Sequence, residues 1–380
     1  MLDLYEFGEE LKKYNYSVFS GVPCSLLTPL LNYAINEFAY IIAPSESDAV
    51  AIASGAFLAG KKSIVLMQNS GLANAVSALT SLTYIFRIPL LGFVSLRGEE
   101  GLEDEPQHEL MGQITSDLLS LMKIEWAFLD SNLESVKKQL DIANKAIEEG
   151  KSFFFIVRKN LFEKDVIFNS TPLIHSCNQK RYDSKAFDTH PSGIDALKII
   201  SNFSGNESIT IASTGFMGRQ LYELEDKPNN FYMVGSMGCA SSLGLGIALN
   251  TNKEVIVVDG DGALIMRMGN LAVCGYYSPD NMFHILLDNN SYDSTGGQLT
   301  VSSVINFPTL AESSNYKHIY HVHSLEELRE ALWFWRSHKG LTFIYLKTSK
   351  ISKESRQLLG RPNIKPYEQK ERLALLLNNK

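Results

Sequence analysis

Short runs of Ile, Val, Leu and Phe alternate along the whole chain with stretches whose apolar positions recur every three or four residues. The first kind of run is a strand buried on both faces; the second is an amphipathic helix. In the first half, strands are predicted near Ser17–Phe19, Ala39–Ala43, Ser63–Met67, Pro89–Val94, Trp126–Leu129 and Phe153–Val157. Helical spacing separates them, as in Leu118–Met122 and Val136–Ile147. Continuous apolar strands that alternate with helices predict a parallel sheet covered on both faces. Asn169–Ser192 has neither period and reads as a linker. The alternation then resumes, with strands near Ser208–Ala212, Phe231–Val234, Val255–Val258, Phe283–Leu287, His318–His321 and Thr342–Leu346, and helices that include Ser324–Trp335. The pattern gives two doubly wound α/β domains, 1–168 and 193–366, joined by a linker at 169–192. A charged tail at 367–380 would carry a peripheral helix, Tyr367–Leu377.

Composition narrows the class. A chain of 380 residues with 45% hydrophobic and 20% charged side chains can bury two full cores. The net charge of -7, with no Lys/Arg-rich run, argues against a nucleic-acid partner, so any anionic ligand must meet a few local cations. Cys24, Cys177, Cys239 and Cys274 form no CxxC pair, which suggests neither a disulfide framework nor a zinc site and fits a reducing cytoplasm. The opening MLDLYEFGEELKK is acidic and amphipathic, unlike a signal peptide. The most lipid-like run, Tyr84–Val94, is interrupted by Arg87 and Pro89 well short of a membrane span.

The chemistry concentrates between Val255 and Gln298. The strand Val255–Val258 ends in Asp259-Gly260-Asp261-Gly262, and the strand Phe283–Leu287 ends in Asp288-Asn289-Asn290. Adjacent parallel strands would set Asp261 beside Asn289 at their carboxyl ends, where open α/β sheets bind ligands. A carboxylate, an amide oxygen and a nearby carbonyl are hard donors suited to a magnesium ion that keeps its other positions for phosphate oxygens. Gly-Asp-Gly alone marks an ordinary strand–helix turn more often than not. Asn289, 28 positions after Asp261, changes that balance.

The two segments together resemble the diphosphate-binding motif of thiamine diphosphate enzymes. The resemblance implies that Asp261, Asn289 and the Ser291 carbonyl hold Mg2+. Gly260, Gly262 and Ala263 would then face the diphosphate at a helix start, where free N–H groups favour anions. In Val234-Gly235-Ser236-Met237-Gly238, the Gly235 carbonyl would accept from the cofactor's exocyclic amine, with Ser236 beside it. Met237 would support the bent cofactor, although Met also fills cores. The family often has His where this chain has Cys239, which puts proton transfer at that position in question. Glu46, at the end of the strand Ala39–Ala43, stands where the family has the Glu that hydrogen-bonds the pyrimidine ring. Here it is flanked as Ser45-Glu46-Ser47 rather than in the usual Asn-Glu-Gly, and a Glu in this place can also merely complement a helix dipole.

Three further segments resemble the phosphonopyruvate decarboxylase and sulfopyruvate decarboxylase family, which lacks the middle domain of larger decarboxylases. They are Gly21–Leu27, Met67–Ala75 and Arg97–His108. Each follows a predicted strand, so all would gather near Glu46. Ser25, Asn69, Arg97 and Gln107 are the candidate substrate contacts; Arg97 is the first choice for a phosphonate because its planar fork matches such oxyanions. His108 would relay protons. The plainer readings are a solvated Arg and a packed or capping His. Ser291–Gln298 suits a mobile flap or an ordinary loop. The resemblance implies decarboxylation of 3-phosphonopyruvate to phosphonoacetaldehyde. Sulfopyruvate, a carboligase or acyl transferase on the same cofactor, and a catalytically silent cofactor-binding subunit are the alternatives. It also implies a homo-oligomer with sites at subunit interfaces.

Overall fold

The apolar runs form two separate parallel sheets in the computed structural model, which describes residues 1–162, 179–185, 189–351 and 359–378. Contacts divide the chain into two units, Met1–Pro172 and Leu173–Lys380. The first unit holds β1 (Tyr16–Gly21), β2 (Ala39–Ile42), β3 (Lys62–Gln68), β4 (Leu91–Ser95), β5 (Glu125–Phe128) and β6 (Phe153–Val157). Their order is β2-β1-β3-β4-β6-β5, and every pairing is parallel. Every residue of β4 and β6 is buried, as continuous apolar runs require when helices cover both faces. Phe93 and Phe155 stack on one face at 5.4 Å, part of a core that also takes in Phe7, Phe19 and Tyr33. Each such ring contributes roughly 1.5–3 kcal/mol by leaving water.

The second unit holds β7 (Lys180–Asp183), β8 (Ser208–Ala212), β9 (Asn230–Tyr232), β10 (Glu254–Gly260) and β11 (Met282–Asp288). A small antiparallel pair, β12 (Ser291–Tyr292) and β13 (Gln298–Leu299), precedes β14 (His318–Val322) and β15 (Thr342–Lys347). The main sheet runs β7-β14-β15-β11-β10-β8-β9, parallel throughout. All seven residues of β11 are buried, and Phe283 packs on Trp335 with ring centroids 3.9 Å apart.

Strand order fixes where each sheet can hold a ligand. In the first sheet the chain leaves β1 toward β2 but β3 toward β4, in opposite directions. In the second it leaves β8 toward β9 but β10 toward β11. A crevice opens at the carboxyl ends of each such pair, because the covering loops part there. The four strand ends are therefore Gly21, Gln68, Ala212 and Gly260.

Two departures from the sequence reading have physical causes. The stretch read as a linker contains β7, a four-residue edge strand that is largely exposed and so carries no apolar period; it is held on β14 by pairing and by Tyr182 stacking on Tyr320 at 4.7 Å. Most of that stretch, Cys177 included, lies outside the described residues. The tail helix, Pro366–Asn378, is no loose periphery. Gln369 and Leu373 are fully buried, and the Gln369 side-chain oxygen accepts from the Tyr232 N–H at 2.9 Å. The helix thereby covers the open edge of β9.

Candidate active site

In the first unit, the helix that follows β3 gathers the polar residues at the crevice. Ser45 stands in extended backbone before the helix Glu46–Leu58, so Glu46 opens that helix, and its side chain is buried. Its Oε2 accepts from Asn74 Nδ2 at 3.1 Å, while the Ser47 hydroxyl donates to the Asn74 carbonyl. Gly71, on the helix Asn69–Ala78, leaves the space that the carboxylate fills: a Cβ there would lie 2.1 Å from Glu46 Oε1. A small residue and an amide one turn apart thus hold one carboxylate.

The neighbouring loops meet the start of that helix through Asn69 and Arg97. Asn69 is fully buried, and its amide donates to the Arg97 carbonyl at 2.7 Å and to Thr115 Oγ1 at 3.2 Å. The Arg97 fork faces Asp104, with Nε 2.8 Å from Oδ2, and its NH1 donates to Ser25 Oγ at 3.1 Å. That guanidinium holds the Asp104 carboxyl well below the usual carboxylate range, helped by the Gly98 and Glu105 N–H groups. Arg97 is therefore already paired, a partner that its sequence position concealed. His108 is buried at the start of the helix Glu109–Leu121, and among the described residues nothing bonds its Nδ1. Gln107 is exposed beside it.

In the second unit, one cleft at the β8/β10 switch point is lined by Ser213, Thr214, Gly215, Met237, Gly260, Asp261, Gly262, Ala263, Asn289 and Ser291. Asp261 opens the short helix Asp261–Met266 and is buried. Burial pushes its carboxyl up, a neighbouring Asp288 adds to this, and a hydrogen bond from Thr300 opposes it. Asn289 Nδ2 donates to Asp293 Oδ2 at 2.8 Å, which settles which end of the amide is oxygen; Oδ1 accepts from the Ser291 N–H at 3.0 Å. The Ser291 hydroxyl donates to Asp293 Oδ1 at 2.9 Å. Gly262 is required: a Cβ would lie 2.4 Å from the Tyr292 ring. Gly238 (φ +90) passes close to the same helix, where a Cβ would lie 2.9 Å from the Ala263 carbonyl. That approach brings Met237 to the cleft. Gly235 is half-buried, while Ser236 is buried with φ 53.

Both units match known protein families. Residues 7–120 match a family model described as the N-terminal TPP binding domain of thiamine pyrophosphate enzymes, and residues 211–346 match the C-terminal TPP binding domain. A phosphonopyruvate decarboxylase of Streptomyces hygroscopicus is 36% identical over 353 residues, which cover 92% of this chain and 87% of the relative. The chain belongs to the phosphonopyruvate decarboxylase family of thiamine pyrophosphate enzymes. A sulfopyruvate decarboxylase of Methanosarcina acetivorans is 29% identical over 89% of both chains. In fold, this member of the family is similar to benzoylformate decarboxylase from Polynucleobacter necessarius, with a TM-score of 0.73 and 14% identity over 93% of this chain and 100% of that one.

For this family member, the sequence reading missed Asn74, Gly71, Asp104, Asp288, Asp293 and Thr300 as partners of the named residues. Gly71 carries a direct prediction. In a helix, Gly→Ala normally stabilises by about 0.4–1 kcal/mol, but here the new methyl must push the Glu46 carboxylate aside. Gly71→Ala is expected to lower the melting temperature, because overpacking a buried site costs roughly 1–3 kcal/mol, and to lower kcat about 100-fold, the scale of a 1 Å misplacement. Thermal melts and steady-state rates on the same preparation check both halves.

Proposed function

We propose that this chain is a thiamine diphosphate- and Mg2+-dependent decarboxylase that converts 3-phosphonopyruvate to phosphonoacetaldehyde and carbon dioxide. One observation carries the cofactor reading: Asp261, Asn289 and Ser291 line a single cleft at the carboxyl ends of the second sheet. Two carboxylate or amide oxygens and a backbone carbonyl are a hard set that fits Mg2+ with open positions for phosphate oxygens. A buried carboxylate whose charge is disfavoured gains most from a divalent cation. The start of the helix Phe216–Leu224 borders the same cleft, and its free N–H groups suit a diphosphate. Gly260, Gly262 and Ala263 would line the diphosphate, and Gly235, Ser236 and Met237 would border the rings. When bound, the cofactor supplies the electron sink for loss of the carboxylate.

Glu46 would hydrogen-bond the pyrimidine ring and move its proton. His108, buried with a ring nitrogen that no described protein group engages, supports a role in protonating the product. Ser25, Arg97 and Gln107 would meet the substrate's second anionic group. Asn69 would act by holding the Arg97 strand end. The substrate itself rests on the relatives, so sulfopyruvate is the second reading: a sulfonate presents nearly the same three-oxygen face. We also propose a homo-oligomer with sites at the subunit interface, a cytoplasmic location and a place in phosphonate biosynthesis. Among the described residues no helix is long and apolar enough to cross a membrane.

Incubating the protein with thiamine diphosphate, Mg2+ and either oxo acid, and following carbon dioxide release, tests the reading. Phosphonopyruvate is expected to turn over with the higher kcat/KM. Higher kcat/KM for sulfopyruvate would exchange the two substrates, and turnover of neither would discard the substrate class.

A further inference from the structure

The loop that follows β11 is tied at its base to one carboxylate that the proposed function leaves unused. Asp288 is fully buried at the end of β11, in register with Lys347 on β15. Its Oδ1 accepts from the Asn290 N–H at 2.8 Å and from Ser302 Oγ at 2.9 Å; its Oδ2 accepts from Tyr345 Oη at 2.8 Å and from Lys347 Nζ at 2.9 Å. Four donors, one of them cationic, satisfy both of its oxygens within the protein. Two of those donors stand at opposite ends of the loop 289–302, which Asp288 therefore closes like a clasp. Ser302 Oγ also lies 2.9 Å from Asn290 Oδ1, which is held in the left-handed region at φ 53.

The closed loop reaches the helix Asp261–Met266 at two points. The Tyr292 ring occupies the space beside Gly262, and the Thr300 hydroxyl donates to Asp261 Oδ2. The same loop thus carries Asn289 and Ser291 and also grips the carboxylate on the facing strand tip. We infer that Thr300 is a positioning residue: it aims the Asp261 carboxylate at the cation, and Asp288 holds its loop in register. The inference rests on the proposed cofactor site and extends it to residues that touch neither metal nor cofactor. Partners of this kind orient metal ligands, and their loss typically costs about 10–100-fold in metal affinity.

A hydroxyl that only satisfied a buried carboxylate would affect stability and leave ion affinity alone. Calorimetric titration of Mg2+ into the full-length protein at saturating thiamine diphosphate separates the two. Thr300→Val is expected to weaken Mg2+ binding about 10–100-fold, while Thr300→Ser, which keeps the hydroxyl, restores it to within a few-fold. Ser302→Ala, which opens the clasp and also removes a hydroxyl that acts on the Asp261 carboxyl, is expected to weaken it in the same direction. Unchanged Mg2+ affinity in Thr300→Val overturns the inference; if that variant does not fold, unchanged affinity in Ser302→Ala does so. Failure of the wild-type protein to bind Mg2+ at all is a distinct result, which brings down the cofactor site and this inference with it.

Discussion

Replacing Glu46 with Gln is expected to lower kcat by at least about 100-fold, within the 10²–10⁴ range of a lost acid–base group, while thiamine diphosphate still binds. The substitution preserves shape. A Gln side chain fits the space beside Gly71, and its carbonyl can still accept from Asn74 Nδ2, as Glu46 does at 3.1 Å. Only the capacity to share a proton is lost, so the helix Glu46–Leu58 and the melting temperature should be unaffected. Cofactor affinity should change by only a few-fold, because the proposed cation and diphosphate contacts lie in the second unit. Parallel measurement of carbon dioxide release and of cofactor binding by titration checks both statements. A variant that turns over at the normal rate would remove Glu46 from the mechanism. Loss of both binding and rate would instead make it a cofactor anchor.

The strands that carry the site were legible because parallel sheets bury both faces, so Val255–Val258 and Phe283–Leu287 appear as unbroken apolar runs. Asp261 and Asn289 were legible for the same reason: a polar side chain just past such a run must lie at a strand tip. Their partners were not. Thr300, thirty-nine positions after Asp261, is one hydroxyl among several in a polar loop. The β12–β13 pairing and the clasp at Asp288 together bring it back to the strand tip. Asp104 looks like any charge in an acidic loop until the fold turns it onto Arg97. Gly71 is one small residue within Met67–Ala75, and its function appears only when the Glu46 carboxylate is found where its side chain would have been. β7 escaped for a related reason, as did the packing of the tail helix, which was itself read in the sequence as Tyr367–Leu377. Both are edge elements with few buried positions, and periodicity reports burial.

Asp261→Ala is expected to have the opposite signature to Glu46→Gln: the protein folds but loses the cation and the cofactor together. The loss of Mg2+ affinity should exceed the 10–100-fold typical of an outer partner, since a direct charged donor disappears. Stability gives an independent reading with a definite sign. Burial, with Asp288 nearby, raises the Asp261 carboxyl above its ordinary value. The folded state then holds its proton more tightly than the unfolded chain, so the ionised group opposes folding as pH rises past its unfolded value. At neutral pH without metal, the alanine variant should therefore melt no lower than the wild type. Adding Mg2+ and thiamine diphosphate reverses that order. The wild type gains about 2.7 kcal/mol at a hundred times its Kd, and the variant gains nothing. Melting curves of both proteins, with and without the two ligands, read out the crossing. An equal upward shift in the variant would mean that the cation is held elsewhere, and the assignment of the β10 strand tip to the cofactor would fall.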